Sequence, residues 1–156
     1  MAAFPVTRAG AILAVSDFAA SLAFYRDRLG LELEAVYDDP PYATLSCAGA
    51  RISLAEQGHP ADDRPGVAMT APADRSQAAV VLVLEVADAM AAHASLESEG
   101  VAMLAAPFSP PWGGCRFFCV DPDGYLVEIE QPAGVGLTEP AESEGAGSAG
   151  AGAAAQ

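Results

Sequence analysis

Hydrophobic positions in this chain form short extended runs and one helical face, in an order that occurs twice. In the first half, an apolar run over residues 9–15 predicts a strand. Apolar residues then recur at helical spacing and predict an amphipathic helix that Gly30 ends: Phe18, Leu22, Tyr25 and Leu29. Three more strands are predicted over residues 32–37, 42–47 and 51–55.

The second half repeats this order. Residues 79–86 predict a strand, and Asp88 predicts the cap of a helix that stops at Gly100. Further strands are predicted over residues 101–104, 116–120 and 125–130, the last two joined by the Asp-Pro-Asp-Gly turn at 121–124. The offset between the two halves is about 70 residues, as expected of an internal duplication.

A strand, a helix and three strands, present twice, predict an α+β fold. We expect two βαβββ repeats, about 8–57 and 78–132, joined by a linker over residues 58–77. The repeats would form a curved, cup-shaped mixed sheet with its helices on one face and a ligand on the concave face. Residues 133–156 are rich in Ala and Gly and predict a disordered tail to a domain over 1–132.

Charge narrows the set of partners. The 156 residues include 21 acidic and 7 basic side chains, a net charge of −14, and every basic residue is arginine. This acidity disfavours nucleic acid and anionic membrane surfaces, which bind clustered Lys and Arg. It favours a cationic small molecule as the partner.

Signals of location point to the cytoplasm. The N-terminus lacks the pattern of a signal peptide, and no apolar run is long enough to span a bilayer. The three cysteines, Cys47, Cys115 and Cys119, form no CxxC pair, and a strand would hold the last two too far apart for a disulfide. We therefore expect reduced, mostly buried thiols in a cytoplasmic protein.

Trp112, the only tryptophan, stands in the Pro/Gly-rich loop 110–114. A loop aromatic beside a cleft can stack on a planar ligand, or it can pack the loop onto the sheet. Further candidates to line the cleft are Tyr42, Phe108, Phe117 and Phe118. The chain has no phosphate-binding glycine loop, no Gly-x-Ser-x-Gly nucleophile elbow and no His-Glu-x-x-His zinc motif.

Two segments resemble a known family. Residues 15–31, VSDFAASLAFYRDRLGL, resemble the opening of glyoxalase/bleomycin-resistance domains, and residues 118–128, FCVDPDGYLVE, resemble their closing hairpin. Together they are similar to the vicinal oxygen chelate superfamily over nearly all of residues 8–132. A Pro-Trp-Gly stretch near the drug groove of bleomycin-resistance proteins also resembles the loop around Trp112. The resemblance further implies a homodimer, because family members commonly build or complete their cups across a two-fold interface.

In metal-dependent members of that superfamily, four inward positions supply His, Gln or Glu ligands to one divalent ion. The resemblance places these positions at Gly10, Ser53, Val81 and Glu128, and only Glu128 keeps a donor. One carboxylate cannot fill the coordination sphere of zinc, nickel or iron, so no cofactor is expected.

Two more carboxylates leave a site for a hard metal ion as an alternative. Glu56 replaces Ser53 if the strand register slips, and Glu85 shares a strand face with Val81. With Glu128 they would form a set suited to magnesium or calcium. His59 and His93 are interpreted as surface or helix residues and not as ligands.

Without a metal, Glu128 has two further interpretations. It can bind a cationic or hydroxylated ligand or act as a general base, with Glu85 as a second acidic contact. Alternatively it is a relic paired with an arginine such as Arg51 or Arg116.

These observations favour a non-enzymatic binding protein. The leading hypothesis is metal-independent sequestration of a planar or cationic compound in an acidic, aromatic-rimmed cup, as in antibiotic resistance of the bleomycin type. The alternative is a glyoxalase-like metal-dependent lyase, isomerase or dioxygenase with displaced ligands. A binding module for a metabolite, with no role in resistance, is the third possibility.

Overall fold

The computed structural model describes residues 5–134 and contains two mixed β-sheets, each associated with one helix. The first half contains β1 (Gly10–Val15), α1 (Phe18–Ala23), β2 (Glu32–Asp38), β3 (Pro41–Cys47) and β4 (Ala50–Glu56). The second contains β5 (Val81–Glu85), α2 (Ala89–Ser98), β6 (Cys115–Val120) and β7 (Leu126–Gln131). Neither helix is long and apolar enough to cross a membrane. The predicted tail falls outside the described residues from 135 onward.

The two sheets have the same topology. The first has the strand order β1-β4-β3-β2, with β1 parallel to β4 and the other pairs antiparallel. The second has the order β5-β7-β6, with β5 parallel to β7 and β6 antiparallel to it. Strands β5, β7 and β6 therefore occupy the places of β1, β4 and β3, and the predicted α+β fold is confirmed.

The strand predicted over 101–104 is wrong. This segment makes one isolated bridge, between Met103 and Cys119, and a second bridge joins Phe108 to Arg116. Pro107 interrupts the segment between these bridges, and its missing N–H cannot take part in a ladder. The segment still follows the edge of β6, which corresponds to the position of β2 in the first sheet.

The first predicted helix is divided into two parts. Asp17 caps α1 as expected, its carboxylate accepting the Ala20 N–H at 3.0 Å. After Ala23 the backbone widens into a π-helical turn over Phe24–Arg28. This turn buries the adjacent Phe24 and Tyr25 together, which a continuous α-helix would direct to different sides.

One hydrophobic core joins the two halves. It takes buried side chains from both sheets and from the helical segments, among them Leu13, Val15, Tyr25, Leu45, Leu54, Leu96, Phe117, Val127 and Ile129. The predicted turn 121–124 is present, since the Gly124 N–H donates to the Asp121 carbonyl. Its Asp121 is buried and accepts the Tyr25 hydroxyl at 2.9 Å, so the turn also links the halves.

The cysteines only partly follow expectation. All three are free, and Cys115 and Cys119 lie in the one strand β6 as predicted. Cys119 is buried, and that burial raises the pKa of its thiol to about 11. Cys47 is exposed at the end of β3, because it precedes the tight turn into β4, so the expectation of mostly buried thiols is wrong there.

Candidate functional site

The candidate positions lie on the sheet faces that point away from the shared core. Alternation along the strands directs one set of side chains into the core and the next set to the opposite face. On the first sheet, this opposite face, called the first far face, carries Gly10, Ile12, Tyr42, Thr44, Arg51 and Ser53. On the second sheet, the second far face carries Val81, Val83, Glu85, Arg116, Phe118, Glu128 and Glu130.

A groove of about 280 Å³ follows the first far face between β1 and β4, lined in part by Gly10, Arg51 and Ser53. Gly10 pairs with Arg51 in the parallel ladder, and the backbones approach closely there. A Cβ added at Gly10 would lie 2.5 Å from the Arg51 carbonyl oxygen. No ligand side chain therefore fits at this position without a shift of the backbone.

Arg51 lies beside Ser53, the second position that the resemblance gives for a metal ligand. Its Nε donates to the Ser53 hydroxyl at 3.3 Å and its Nη2 to the Thr44 hydroxyl at 3.5 Å. Both hydroxyls are buried, whereas Arg51 itself is exposed. Of the two ligand positions on this sheet, one is thus closed by backbone and the other is bonded to a guanidinium.

Glu128, on the second far face, is paired with an arginine. Its Oε1 accepts a hydrogen bond from Arg116 Nη1 at 3.2 Å. The pairing was one of the interpretations drawn from the sequence, and the partner is Arg116, not Arg51. Glu85 aligns in the ladder with Glu130 and not with Glu128, so two carboxylates, Glu85 and Glu130, meet at one end of this face.

Aromatic side chains surround Arg116. The Arg116 guanidinium carbon is 5.6 Å from the ring centroid of Trp112 and 5.9 Å from that of Phe118. The backbone of Phe108 bonds to that of Arg116, and its side chain is 55% exposed. Trp112 is 70% exposed, so its ring is open to a ligand and is not packed into the sheet. We call Phe108, Trp112 and Phe118 the aromatic cluster.

The loop of Trp112 is held beside β7 by a close backbone approach. Gly114 has φ +80°, and a Cβ there would lie 2.6 Å from the Gln131 carbonyl oxygen. Tyr42 lies elsewhere, on the first sheet, with its ring centroid 6.2 Å from that of Tyr37. Phe117 belongs to the core and packs edge-on against His93.

Within one chain, the four positions that the resemblance gives for a metal centre lie on two different far faces. Gly10 and Ser53 share the first far face and Val81 and Glu128 share the second, while the common core lies between the sheets. Within residues 5–134, no group of three or more His, Cys, Asp or Glu side chains is suitably placed for a metal. The residues present do not fit the superfamily's divalent ion.

Glu56 does not replace Ser53. The register pairs Ile12 with Ser53 and Val15 with Glu56, and three residues along β4 separate the two side chains onto opposite faces. The Glu56 carboxylate instead contacts His59 Nε2 at 2.7 Å. The alternative set of three carboxylates is therefore not assembled.

Two arginines lie at the candidate site although the sequence did not identify them as site residues. Arg51 was considered only as a partner for Glu128, and Arg116 only as a neutralising residue. A signal was available, because Arg51 precedes Ser53 by two residues and Arg116 precedes Phe118 by two. Strand alternation therefore predicts that each arginine shares the face of the candidate that follows it.

Comparison with known proteins identifies the family. The model described as Glyoxalase/Bleomycin resistance protein/Dioxygenase superfamily matches residues 7–129. Among curated proteins, none matches the sequence at a significant level.

Three solved structures illustrate the similarity. A glyoxalase/bleomycin resistance protein/dioxygenase from Nocardioides is 21% identical, with TM-score 0.67 and coverage of 87% of this chain and 89% of that one. A lactoylglutathione lyase from Agrobacterium tumefaciens is 19% identical, with TM-score 0.64 and coverage of 81% and 94%. TnmS3, an antibiotic binding protein from Streptomyces, is 23% identical, with TM-score 0.63 and coverage of 85% and 100%. At these identities the likeness establishes the fold.

Proposed function

Because the chain belongs to the Glyoxalase/Bleomycin resistance protein/Dioxygenase superfamily, we propose that it binds and sequesters a planar small molecule without a metal ion and without catalysis. The observation that carries this proposal is the aromatic cluster around Arg116, with Trp112 70% exposed. An open indole beside a guanidinium and a second ring offers a flat surface on which a planar compound can stack. TnmS3, which shares the fold, is an antibiotic binding protein, and this supports a small-molecule ligand here.

Two carboxylates on the second far face favour a ligand that carries a cationic group. Glu128 is already paired with Arg116, so it is not the free carboxylate that the sequence suggested. Glu85 and Glu130 have no ion-pair partner among the described residues, and they lie on the same far face as the aromatic cluster. A positively charged substituent can therefore contact these two carboxylates while the planar part stacks on Trp112.

The proposal includes a homodimer that acts in the cytoplasm. Within residues 5–134, β1 pairs only with β4 and β5 only with β7, so each of these two strands leaves one edge of its sheet unpaired. Exposed apolar side chains lie along these edges, namely Ile12, Val81 and Val83. If the first far face of one copy meets the second far face of another, the two halves of a cup close around the ligand and this apolar surface is buried.

Trp112 provides the direct test, because it is the only tryptophan and its fluorescence reports on the cluster alone. We expect ethidium and bleomycin to quench this fluorescence and to give saturable heats in calorimetry. Trp112→Ala should weaken binding of ethidium about tenfold, as expected for loss of one aromatic stacking contact.

The matched control is Met90→Ala, which removes an exposed apolar side chain of α2 that lies outside both far faces. Its affinity for ethidium should equal that of the unmodified chain. Absence of both quenching and heat with every planar probe contradicts sequestration.

Metal analysis separates this proposal from the lyase or dioxygenase alternative. Protein purified without chelator should contain well below one divalent ion per chain, because Gly10, Ser53 and Val81 supply no strong donor. Added zinc, nickel or magnesium should leave the thermal unfolding midpoint unchanged. One tightly held divalent ion per chain that is lost in Glu128→Ala would establish the metal-dependent alternative instead.

A further inference from the structure

The groove on the first far face is cationic in a strongly acidic protein. Two of the chain's seven basic residues, Arg8 and Arg51, line it, and no carboxylate among residues 5–134 does. Arg8 is already neutralised, since its Nη1 lies 3.0 Å from the Glu34 carboxylate and its other donors bond to the Gly49 and Ala50 carbonyls. Arg51 is therefore the groove residue with charge available to a ligand.

Arg51 differs from most arginines of this chain in its partners. Within residues 5–134 it has no carboxylate within salt-bridge distance, and its two side-chain hydrogen bonds go to the neutral hydroxyls of Ser53 and Thr44. A guanidinium has five N–H donors, so most of them stay available. The two buried hydroxyls fix its orientation without cancelling its charge, and Glu34, whose pKa is lowered mainly by its hydrogen bond from Arg8 and in part by the charge of Arg51, is already paired with Arg8.

No side chain of residue 10 enters the groove. Gly10 has no side chain, and the close approach of the Arg51 carbonyl keeps that position limited to glycine. The groove of about 280 Å³ is large enough for a carboxylate and part of a ring. It lies at the two positions, Gly10 and Ser53, that correspond to metal ligands in the superfamily's metal-dependent members.

We infer that Arg51 takes the place of the metal ion on this half of the site, and that it binds an anionic oxygen of the ligand, such as a carboxylate or phenolate. The inference rests on the proposed function, because the ring that carries this oxygen is the one expected to stack on Trp112. A guanidinium matches a carboxylate in geometry and forms charge-assisted hydrogen bonds with it. The net charge of −14 opposes this binding only weakly, because salt screens distant charges beyond about 8–10 Å.

Three probes with the same ring test the assignment. Calorimetric titrations with 2-naphthoate, 2-naphthamide and 2-naphthylmethylammonium compare an anionic, a neutral and a cationic substituent. We expect 2-naphthoate to bind at least about tenfold more tightly than 2-naphthamide, the value of one good charge-assisted hydrogen bond. Arg51→Gln should remove this difference and leave the affinity for 2-naphthamide unchanged. Arg51→Lys, which keeps the charge but loses the planar fork, should restore part of it.

The control is Arg26→Gln. It removes the same charge from an exposed residue of the π-helical turn that pairs with its neighbour Asp27, and it should bind all three probes like the unmodified chain. Equal affinities of 2-naphthoate and 2-naphthamide, or a preference for 2-naphthoate that survives Arg51→Gln, would overturn the assignment of Arg51.

A fourth probe separates the two proposals. Cyclohexanecarboxylate carries the anionic group without a planar ring. If it binds in an Arg51-dependent way while no naphthalene stacks on Trp112, the anion site stands and the planar-ligand proposal fails. If the naphthalenes bind equally well regardless of charge, the planar-ligand proposal stands and the anion site fails. No binding of any of the four probes overturns both.

Discussion

At the scale of single residues, Gly10 shows how a backbone contact limits a position to glycine. The Arg51 carbonyl oxygen occupies the place where a Cβ at residue 10 would stand, at 2.5 Å. Replacing a metal ligand by glycine leaves a space that a back-mutation can refill. A glycine fixed by a backbone contact behaves differently, because any side chain must first displace the neighbouring strand.

Gly10→Ala should therefore destabilise the protein. We expect its free energy of unfolding to fall by about 1–3 kcal/mol, the usual cost of forcing extra atoms into a packed position. Urea denaturation followed by circular dichroism measures this directly. The matched control is Gly134→Ala, since a Cβ at that glycine meets nothing within 4 Å. Equal stability of Gly10→Ala and the unmodified chain would show that β1 and β4 can separate freely at this point.

Individual site residues were predictable where their role depends on local sequence. The loop position of Trp112 follows from its Pro/Gly-rich neighbours, and the position of Glu128 on β7 follows from the strand predicted over 125–130, whereas the exposure of the Trp112 ring did not follow from the sequence. The bonds from Arg51 to Ser53 and Thr44 were not predictable, because the second of them requires the register between β3 and β4. A one-residue slip of that register would turn Thr44 to the other face.

At the scale of elements, the turn 121–124 makes buried contacts with the first half of the chain that its sequence does not predict. The Asp-Pro-Asp-Gly pattern predicts a turn, which is present. It does not predict that Asp121 is buried, with Tyr25 as a hydrogen-bond donor from the other half of the chain. Asp123 is buried as well and accepts the Ser21 hydroxyl at 2.8 Å. Such contacts depend on how the two repeats pack, which no local pattern encodes.

Burial makes Asp121 a source of pH dependence. It raises the pKa of Asp121 above the ordinary value for an aspartate, although hydrogen bonds from Tyr25 and the Tyr125 N–H oppose the shift. An acid with a raised folded-state pKa binds more protons when folded than when unfolded. Its contribution to stability is therefore full below the unfolded pKa of about 4 and is lost as pH rises through the folded pKa.

Asp121→Asn should remove this contribution to the pH dependence. Asparagine keeps an acceptor for the Tyr125 N–H but carries no charge to bury. We expect the variant to lose less free energy of unfolding than the unmodified chain when pH is raised from about 4 to 7. Denaturation at a series of pH values gives both curves, and Asp63→Asn, at an exposed linker residue, controls for the loss of one negative charge. Parallel curves for Asp121→Asn and the unmodified chain would contradict the assignment.

Most elements were predictable because hydrophobic periodicity and turn residues mark them locally. The two exceptions have different causes, one in the neighbouring sequence and one in tertiary packing. The segment 101–104 has the composition of a strand, but Pro107 and the path toward Phe108 limit it to isolated bridges. The first helix widens at Phe24, where packing buries Phe24 and Tyr25 together. A hydrophobic pattern with a period of 3.6 residues predicts a regular α-helix and not this π-helical turn.

At the scale of the whole molecule, the duplication explains both the predictability of the fold and the limit on predicting the site. Two similar repeats imply two similar sheets, and the observed strand orders agree. Which faces of the sheets meet depends on the shared core, where side chains such as Leu54 and Val127 exclude water from both halves at once. That packing directs both far faces away from the common core, and for this reason the proposed cup is closed by a second copy.

Closure of the proposed cup by a second copy predicts that the protein forms a dimer. We expect the protein to run as a dimer in size-exclusion chromatography with light scattering. Val83→Asp should convert it to a folded monomer, because Val83 is 47% exposed beside Glu128 on the second far face, and a new carboxylate there would be buried without a partner. The same variant should lose ethidium binding, since each copy would keep only an open half of the cup.

Met90→Asp is the matched control, because Met90 is 60% exposed on α2 and lies outside both far faces. It introduces the same charge in place of an exposed apolar side chain and should stay dimeric with full ethidium affinity. If the unmodified chain is monomeric, or if Met90→Asp dissociates the dimer as effectively as Val83→Asp, the far faces do not form the interface. Binding of ethidium to a stable monomer would then mean that the aromatic cluster alone holds the ligand, without the first far face opposite it.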